Sequence, residues 1–205
     1  MARLQTTDVL MSFEEFLDWE RHQELRHEFV DGIPVAMAGG TEAHNVIQGN
    51  VFAAALAKLR GSPCRPFPSD MMVMTGTGQG RYPDVTVDCG RRDPGNLVLP
   101  QPTVVVEVLS PETQRLDRTI KLAEYNATPS IRHYVLIEPS EPLVNIYDRH
   151  HGGDFNLRPR EVRGLDGMIE LPSVPLTLAM DEVYEGLEFG PAPEAKASGI
   201  ARASS

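Results

Sequence analysis

The sequence predicts an α/β (α+β) fold: a mixed β-sheet flanked by helices, with extra β-hairpins. Three observations lead to it. TVVVEVLS, residues 103–110, is a continuous apolar run of mostly β-branched residues, the pattern of a strand buried on both faces. ETQRLDRTIKLAEYNA, residues 112–127, reads as a helix, with Asp117, Lys121 and Tyr125 at four-residue spacing on one face. HYVLIEP and PLVNIYDR, residues 133–139 and 142–149, flank Ser140-Glu141 as the arms of a hairpin.

The remaining elements follow in chain order. Ser12 and Glu15 have the spacing of a capping box, so a helix runs to about Gln23 and buries Phe13, Phe16 and Leu17. In LRHEFVDGIPVAM, the Asp31-Gly32 pair between two apolar runs predicts a hairpin with strands at 25–30 and 33–38. Gly39-Gly40 breaks that pattern, and Thr41 caps a helix to about Arg60 with Val46, Ile47, Val51, Ala54, Ala55 and Leu59 as its buried stripe. Cys64–Pro68 and Met71–Thr75 suit short strands, and the glycine-rich GTGQG, residues 76–80, suits a mobile connection. That stretch lacks the GxxxxGK[ST] pattern of a phosphate loop. RYPDVTVDCG, residues 81–90, is a second central strand, entered through Pro83. Residues 155–163 and 167–174 suggest two more strands, and LAMDEVYEGL a short helix or turn. The stretch from Gly190 has too little apolar content to pack, so residues 1–189 form one domain and 190–205 a disordered tail.

The candidate chemistry lies on three successive elements. Side chains alternate along a strand, so Val104, Val106 and Val108 face one way and Val105, Glu107 and Leu109 the other. A carboxylate on a buried strand loses its water and needs a cation, a metal or several donors in compensation. Asp84 opens the preceding strand, and Lys121 lies on the following helix. Two hard oxygen donors and one ammonium are what a divalent-metal phosphodiesterase requires. Plainer roles compete: Asp84 could cap a turn after Pro83, Lys121 could pair with Asp117, and His44 could cap its own helix.

Composition narrows the field. The formal net charge of −10, from 29 acidic and 19 basic residues, argues against a protein that coats nucleic acid by bulk charge. Arg91, Arg92, Arg115 and Arg118 are the candidate phosphate contacts. No apolar run approaches the roughly 20 residues of a membrane span, and the start MARLQTTDVLMSFEEF shows no secretory pattern. Cys64 and Cys89 lie far apart and outside any metal-ligand spacing, which suggests a reduced, cytoplasmic protein.

Taken together, HEFVDGIPVAM, HNVIQGNV, FPSDMMV, RYPDVTVDCG, VVVEVLSPET and DRTIKLAEYNATPSIRHYVLIE resemble the Uma-two family of putative restriction endonucleases, with the PD-(D/E)XK nuclease fold, over about residues 12–188. The resemblance implies a restriction-endonuclease-like sheet and a Mg²⁺- or Mn²⁺-dependent endonuclease acting on DNA. It makes Asp84 and Glu107 the metal ligands, joined by the Val108 carbonyl. Leu109 stands where the lysine of the motif triplet belongs, and the resemblance moves that lysine to Lys121 on the helix. Glu28, His44, Asp70 and Asp117 are accessory candidates near motif positions. A homodimer is expected, because the two hairpins offer edge strands that must be paired or covered. The alternative is a non-catalytic binding or dimerisation module on a nuclease fold. A serine hydrolase built on Ser110 is disfavoured, since no GxSxG elbow surrounds it.

Overall fold

The structure is a computed structural model and describes residues 10–190 apart from 38, 112, 151 and 152. Its first helix, α1 (Phe13–Glu20), starts at Ser12, whose side chain accepts from the Glu15 N–H while the Glu15 carboxylate accepts from the Ser12 N–H. Strands β1 (His27–Val30) and β2 (Ile33–Ala36) form the predicted hairpin. Its turn needs positive φ at both central residues, and Asp31 and Gly32 adopt 50° and 83°. Helix α2 (Glu42–Lys58) is capped by Thr41 and buries Ile47, Val51, Ala54 and Ala55.

The short strands β3 (Arg65–Pro68), β4 (Val73–Met74) and β5 (Gly80–Arg81) lead into β6 (Val85–Asp88) and β7 (Pro102–Val108). A helical segment follows in three parts: α3 (Gln114–Leu116), a π-turn (Asp117–Lys121) and α4 (Leu122–Asn126). The chain then forms β8 (His133–Ile137), β9 (Leu143–Asp148), β10 (Arg160–Arg163), β11 (Met168–Leu171), β12 (Leu176–Ala179) and the short α5 (Met180–Val183).

The central sheet has six strands in the order β10-β9-β8-β7-β6-β3. The β7–β8 pair is parallel and the other pairs are antiparallel, so the sheet is mixed as predicted. A four-stranded sheet, β2-β1-β5-β4, and the β11-β12 hairpin complete the fold. Alternation along β7 divides the core. Val104, Val106 and Val108 pack in one cluster with α2 and the β11-β12 hairpin, while Val105 and Leu109 pack in another with Tyr125, Ile131 and Tyr134. Both faces of β7 are thereby covered, which is why its sequence is apolar throughout.

Three expectations need correction. The GTGQG segment is pinned: Gly76 donates its N–H to Thr128 Oγ1 at 2.8 Å, and a Cβ there would stand 1.8 Å from the Ala127 carbonyl oxygen. Only glycine permits that approach. The stretch after Val174 forms β12 before its short helix, because Leu176 and Leu178 face the core opposite Leu171 and Ile169. Cys64 and Cys89 are joined in a disulfide, which overturns the reduced reading. Arg65 pairs with Asp88, so one step further along the register sets the two cysteines opposite each other. The tail from 191 onward lies outside the described residues.

The disulfide closes a loop across a sequence separation of 25. Such cross-links stabilise by about 2–4 kcal/mol, chiefly by restricting the unfolded chain. The double variant Cys64→Ala/Cys89→Ala is expected to lose an amount of that order in denaturant melts. Reductant should lower the wild type to the same level and leave the variant unmoved; a wild type indifferent to reductant would count against the bond.

Candidate active site

The site forms where β6 begins and β7 ends. Val85 pairs with Val106, so Asp84 lies opposite Glu107 in the continued register, on the same face of the sheet. Asp84 Oδ2 accepts the Val108 N–H at 2.7 Å, which extends the pairing beyond β6 through a side chain. Glu107 is only 5 % exposed. Its Oε1 accepts from Lys121 Nζ at 3.0 Å and from the Tyr125 hydroxyl at 3.1 Å.

Both donors come from the segment containing the π-turn. Such turns are rare and concentrate at functional sites, because one extra residue re-aims the side chains around it. Lys121 Nζ also lies 3.2 Å from Asp117 Oδ1 and 3.6 Å from Glu28 Oε1, so three carboxylates surround one ammonium. Burial works against its charge, but Glu107, Glu28 and Asp117 outweigh it and hold the ammonium above its usual value. Burial pushes the Glu107 carboxyl up to about 8; Lys121 opposes this, while Asp84 and Asp117 reinforce it. The two shifts agree, because acids outnumber cations here and the surplus charge is relieved at a carboxyl. Burial, reinforced by Glu107, raises Tyr125 well above its ordinary value and keeps it a donor.

Further residues hold this cluster in place. Arg81, buried on β5, donates to Glu124 at 2.8 and 2.7 Å and to Glu28 at 2.6 Å, tying the helix and the hairpin to one guanidinium. His44, in the first turn of α2, sets Nε2 3.2 Å from Asp84 Oδ2. The Asp84 hydrogen bond raises the His44 pKa against burial, with help from Asp117 and the Val108 carbonyl. Gly40 leaves room for that ring: a Cβ would come within 2.6 Å of Nδ1. One turn along α2, Gln48 donates to the Asp84 carbonyl at 3.0 Å.

Glu28, His44, Asp84, Glu107, Asp117 and Lys121 are thus brought together. Asp70 is not: its carboxylate is 75 % exposed and turned to Arg26 at 3.3 Å, because it sits in the turn after β3. Leu109 is buried in the core beside Tyr125, so the position where the motif has lysine serves packing here. Arg118 pairs with Glu138 and is no free phosphate contact. Sequence reasoning missed Arg81 and Glu124, whose partnership across 43 positions leaves no local pattern. The signal for Tyr125 was its helical phase with Lys121.

The donor set fits a hard divalent cation. Asp84, Glu107 and the Val108 carbonyl carry oxygen donors, and this region holds five carboxylates (with Glu28, Asp117 and Glu124) against two permanent cations, Arg81 and Lys121. Thr86 Oγ1 and His44 Nδ1 are buried with no hydrogen-bond partner, and Asp117 Oδ1 meets only the Lys121 ammonium at 3.2 Å, which leaves polar capacity in the region. Among the described residues, no three His, Cys, Asp or Glu side chains form a ready metal cluster. Mg²⁺ needs none, since it is bound through one or two carboxylates with waters and substrate oxygens completing its shell.

A mixed sheet with opposed acids on adjacent antiparallel strands, backed by a helix on each face, defines a restriction-endonuclease-like α+β protein. The chain belongs to the Uma2 family, described as "Putative restriction endonuclease", which matches residues 13–181. It is 33% identical over 181 residues to the uncharacterized protein slr1290 of Synechocystis, covering 87% of this chain and 94% of that one. It is 26% identical over 174 residues to a second Synechocystis protein, the uncharacterized sll1609, covering 83% and 97%. A crystal structure of a putative nuclease of DUF820 from Anabaena variabilis superposes with a TM-score of 0.68 at 18% identity, covering 85% of this chain and 97% of that one. No helix among the described residues is long and apolar enough to cross a membrane.

The charge balance makes opposite forecasts for two variants melted without divalent ions. Lys121→Met leaves Glu107 and Asp117 buried without their ammonium and is expected to cost about 3–5 kcal/mol. Glu107→Gln removes one of three carboxylates from a lysine that keeps Asp117 and Glu28, so its melting temperature should hold or rise. The sign with pH follows. A carboxyl raised from 4.5 to about 8 holds its proton more tightly when folded, so its stabilisation is full below 4.5 and lost as pH rises through 8. Wild type should therefore lose stability relative to Glu107→Gln over that window; a relative gain would overturn the assignment.

Proposed function

We propose that this protein is a Mg²⁺- or Mn²⁺-dependent endonuclease that hydrolyses DNA phosphodiester bonds, with Asp84 and Glu107 as metal ligands and Lys121 as the relocated motif lysine. The observation that carries this reading is the placement of Lys121 Nζ 3.0 Å from a buried Glu107 whose neighbour across the strands is Asp84. Membership of a family described as "Putative restriction endonuclease" supports it.

Bound at Asp84, Glu107 and the Val108 carbonyl, the divalent ion would supply positive charge to a phosphate oxygen and lower the pKa of an attacking water. The chain's own residues do the rest. His44 holds Asp84 Oδ2, Tyr125 holds Glu107 Oε1, and each donor fixes its carboxylate rotamer before substrate arrives. Lys121 brings three N–H donors, and held beside Glu107 by Asp117 and Glu28 its ammonium would orient the water or meet the phosphate. Arg81 keeps Glu28 and Glu124 occupied, so neither competes for that ammonium as strongly as an unpaired carboxylate would.

One observation favours the second reading, a non-catalytic module. Lys121 lies among three carboxylates in a closed ion cluster, which is also what a purely structural site looks like. Plasmid nicking and metal-dependent melting separate the two. The nuclease reading expects Mn²⁺ to raise the melting temperature of wild type but not of Asp84→Asn. It also expects Glu107→Gln and Lys121→Ala to lose at least about 100-fold in Mg²⁺-dependent cleavage. Cleavage by Glu107→Gln at the wild-type rate would sink it.

A further inference from the structure

The protein carries a net charge of −10, yet four exposed arginines gather at one edge of the central sheet without acidic partners. Arg65 lies on the edge strand β3, Arg60 just after α2, and Arg91 and Arg92 just after β6. Two adjoining hollows, about 210 and 320 Å³, share Arg65 and Arg92 in their walls; Arg91 lines the first and Arg60 the second. None of the four is ion-paired among the described residues, although most other basic side chains of the fold are. The nearby acids are otherwise engaged. Asp88 accepts the N–H groups of Gly90 and Gln101, and Asp93 that of Gly95.

The edge itself is closed to another strand. Pro66 and Pro68 remove two N–H groups from β3, which blocks strand addition. What the edge presents is guanidinium. Beneath this rim, the smaller hollow has an apolar floor that includes half-buried Phe67 and Met71 with Leu99 and Pro100. A duplex keeps its bases stacked and would use the arginines alone. An unpaired strand can use both parts, setting phosphates on guanidinium and a base against an aromatic ring.

Position relates this surface to the catalytic cluster. Arg65 and Phe67 pair with Asp88 and Thr86, which share a sheet face with Asp84. Asp84 and Asp88 are four residues apart on one strand, roughly 13 Å.

We infer that Arg60, Arg65, Arg91 and Arg92, with the floor around Phe67, form a seat for an unpaired nucleic-acid strand a few nucleotides from the cleavage site. The inference rests on the nuclease reading for its ligand class, but not on catalysis.

The test is fluorescence anisotropy in EDTA, with a labelled single strand of about twelve nucleotides and the matching duplex, titrated against the full chain across a salt series. Arg65→Ala/Arg92→Ala should weaken strand binding at least tenfold and flatten the log–log salt slope by about 1.4, the value for two lost contacts on a single strand. Phe67→Ala should weaken the strand and leave the duplex unchanged. An unaltered melting temperature certifies that the arginine variant folds, and retained duplex binding with a native circular-dichroism spectrum certifies the same for Phe67→Ala. The seat is refuted if wild type binds no strand, if the arginine variant keeps wild-type affinity and slope, or if the duplex binds as tightly as the strand with Phe67→Ala silent. Strand binding lost in the arginine variant of a protein that never cleaves would retain the seat and remove the nuclease reading. Metal-dependent cleavage with unaltered strand binding in that variant would do the reverse.

Discussion

A single carboxylate in the middle of an apolar strand sets the terms for much of this fold. Glu107 cannot sit on β7 with both sheet faces covered unless something replaces its water. Replacement comes from outside the strand: an ammonium and a hydroxyl on the helical segment that packs over that face. The helix cannot lie elsewhere without leaving Glu107 exposed to the core. Its docking in turn brings Asp117 and Glu124 inward, and Glu124 demands Arg81, which recruits Glu28 from the hairpin. One buried carboxyl group thereby ties together the central sheet, the helix on its face and the four-stranded sheet.

The other face of β7 shows what happens where no charge intrudes. Val104, Val106 and Val108 meet alanines and aliphatic residues of α2 and the β11-β12 hairpin, in a core that needs only shape. Placing Leu109 in the packed layer beside Tyr125 lets the strand end apolar, while the cation comes from the helix. At the far end of the helical segment, Arg149 closes the arrangement. It donates to the carbonyls of Tyr125 and Asn126 at 3.1 and 2.7 Å and to the Ile131 carbonyl at 2.7 Å, satisfying acceptors that a helix end leaves open.

Much of this was legible in the sequence, for reasons that differ by element. The Asp31-Gly32 turn and the Ser12 capping box are written in a few adjacent residues, so local chemistry suffices to read them. Glu107 stood out because its neighbours are so uniformly apolar, and Lys121 because helical phase aligned it with Asp117 and Tyr125. What escaped depends on distant partners. The Arg81–Glu124 pair and the Cys64–Cys89 bond each join residues that share no pattern, and only strand register brings the cysteines face to face. Asp70 was misjudged because proximity to a motif in the chain says nothing about which way a turn aims its side chain. The π-turn was invisible, since periods of 3.6 and slightly more residues cannot be told apart over a single turn.

That turn also leaves part of the surface with a residue to spare. Thr119 and Ile120, inside it, are exposed, and side chains there face solvent. By ordinary reasoning such a stretch would tolerate almost any change. It should tolerate even a deletion: a π-turn holds one residue more than an α-turn in nearly the same rotation and rise, so losing one would restore α-helical winding and leave Tyr125 on Glu107 and Glu124 on Arg81. Natural variation at these two positions should therefore be free in residue type and in number by one, a slack residue that the fold holds in reserve.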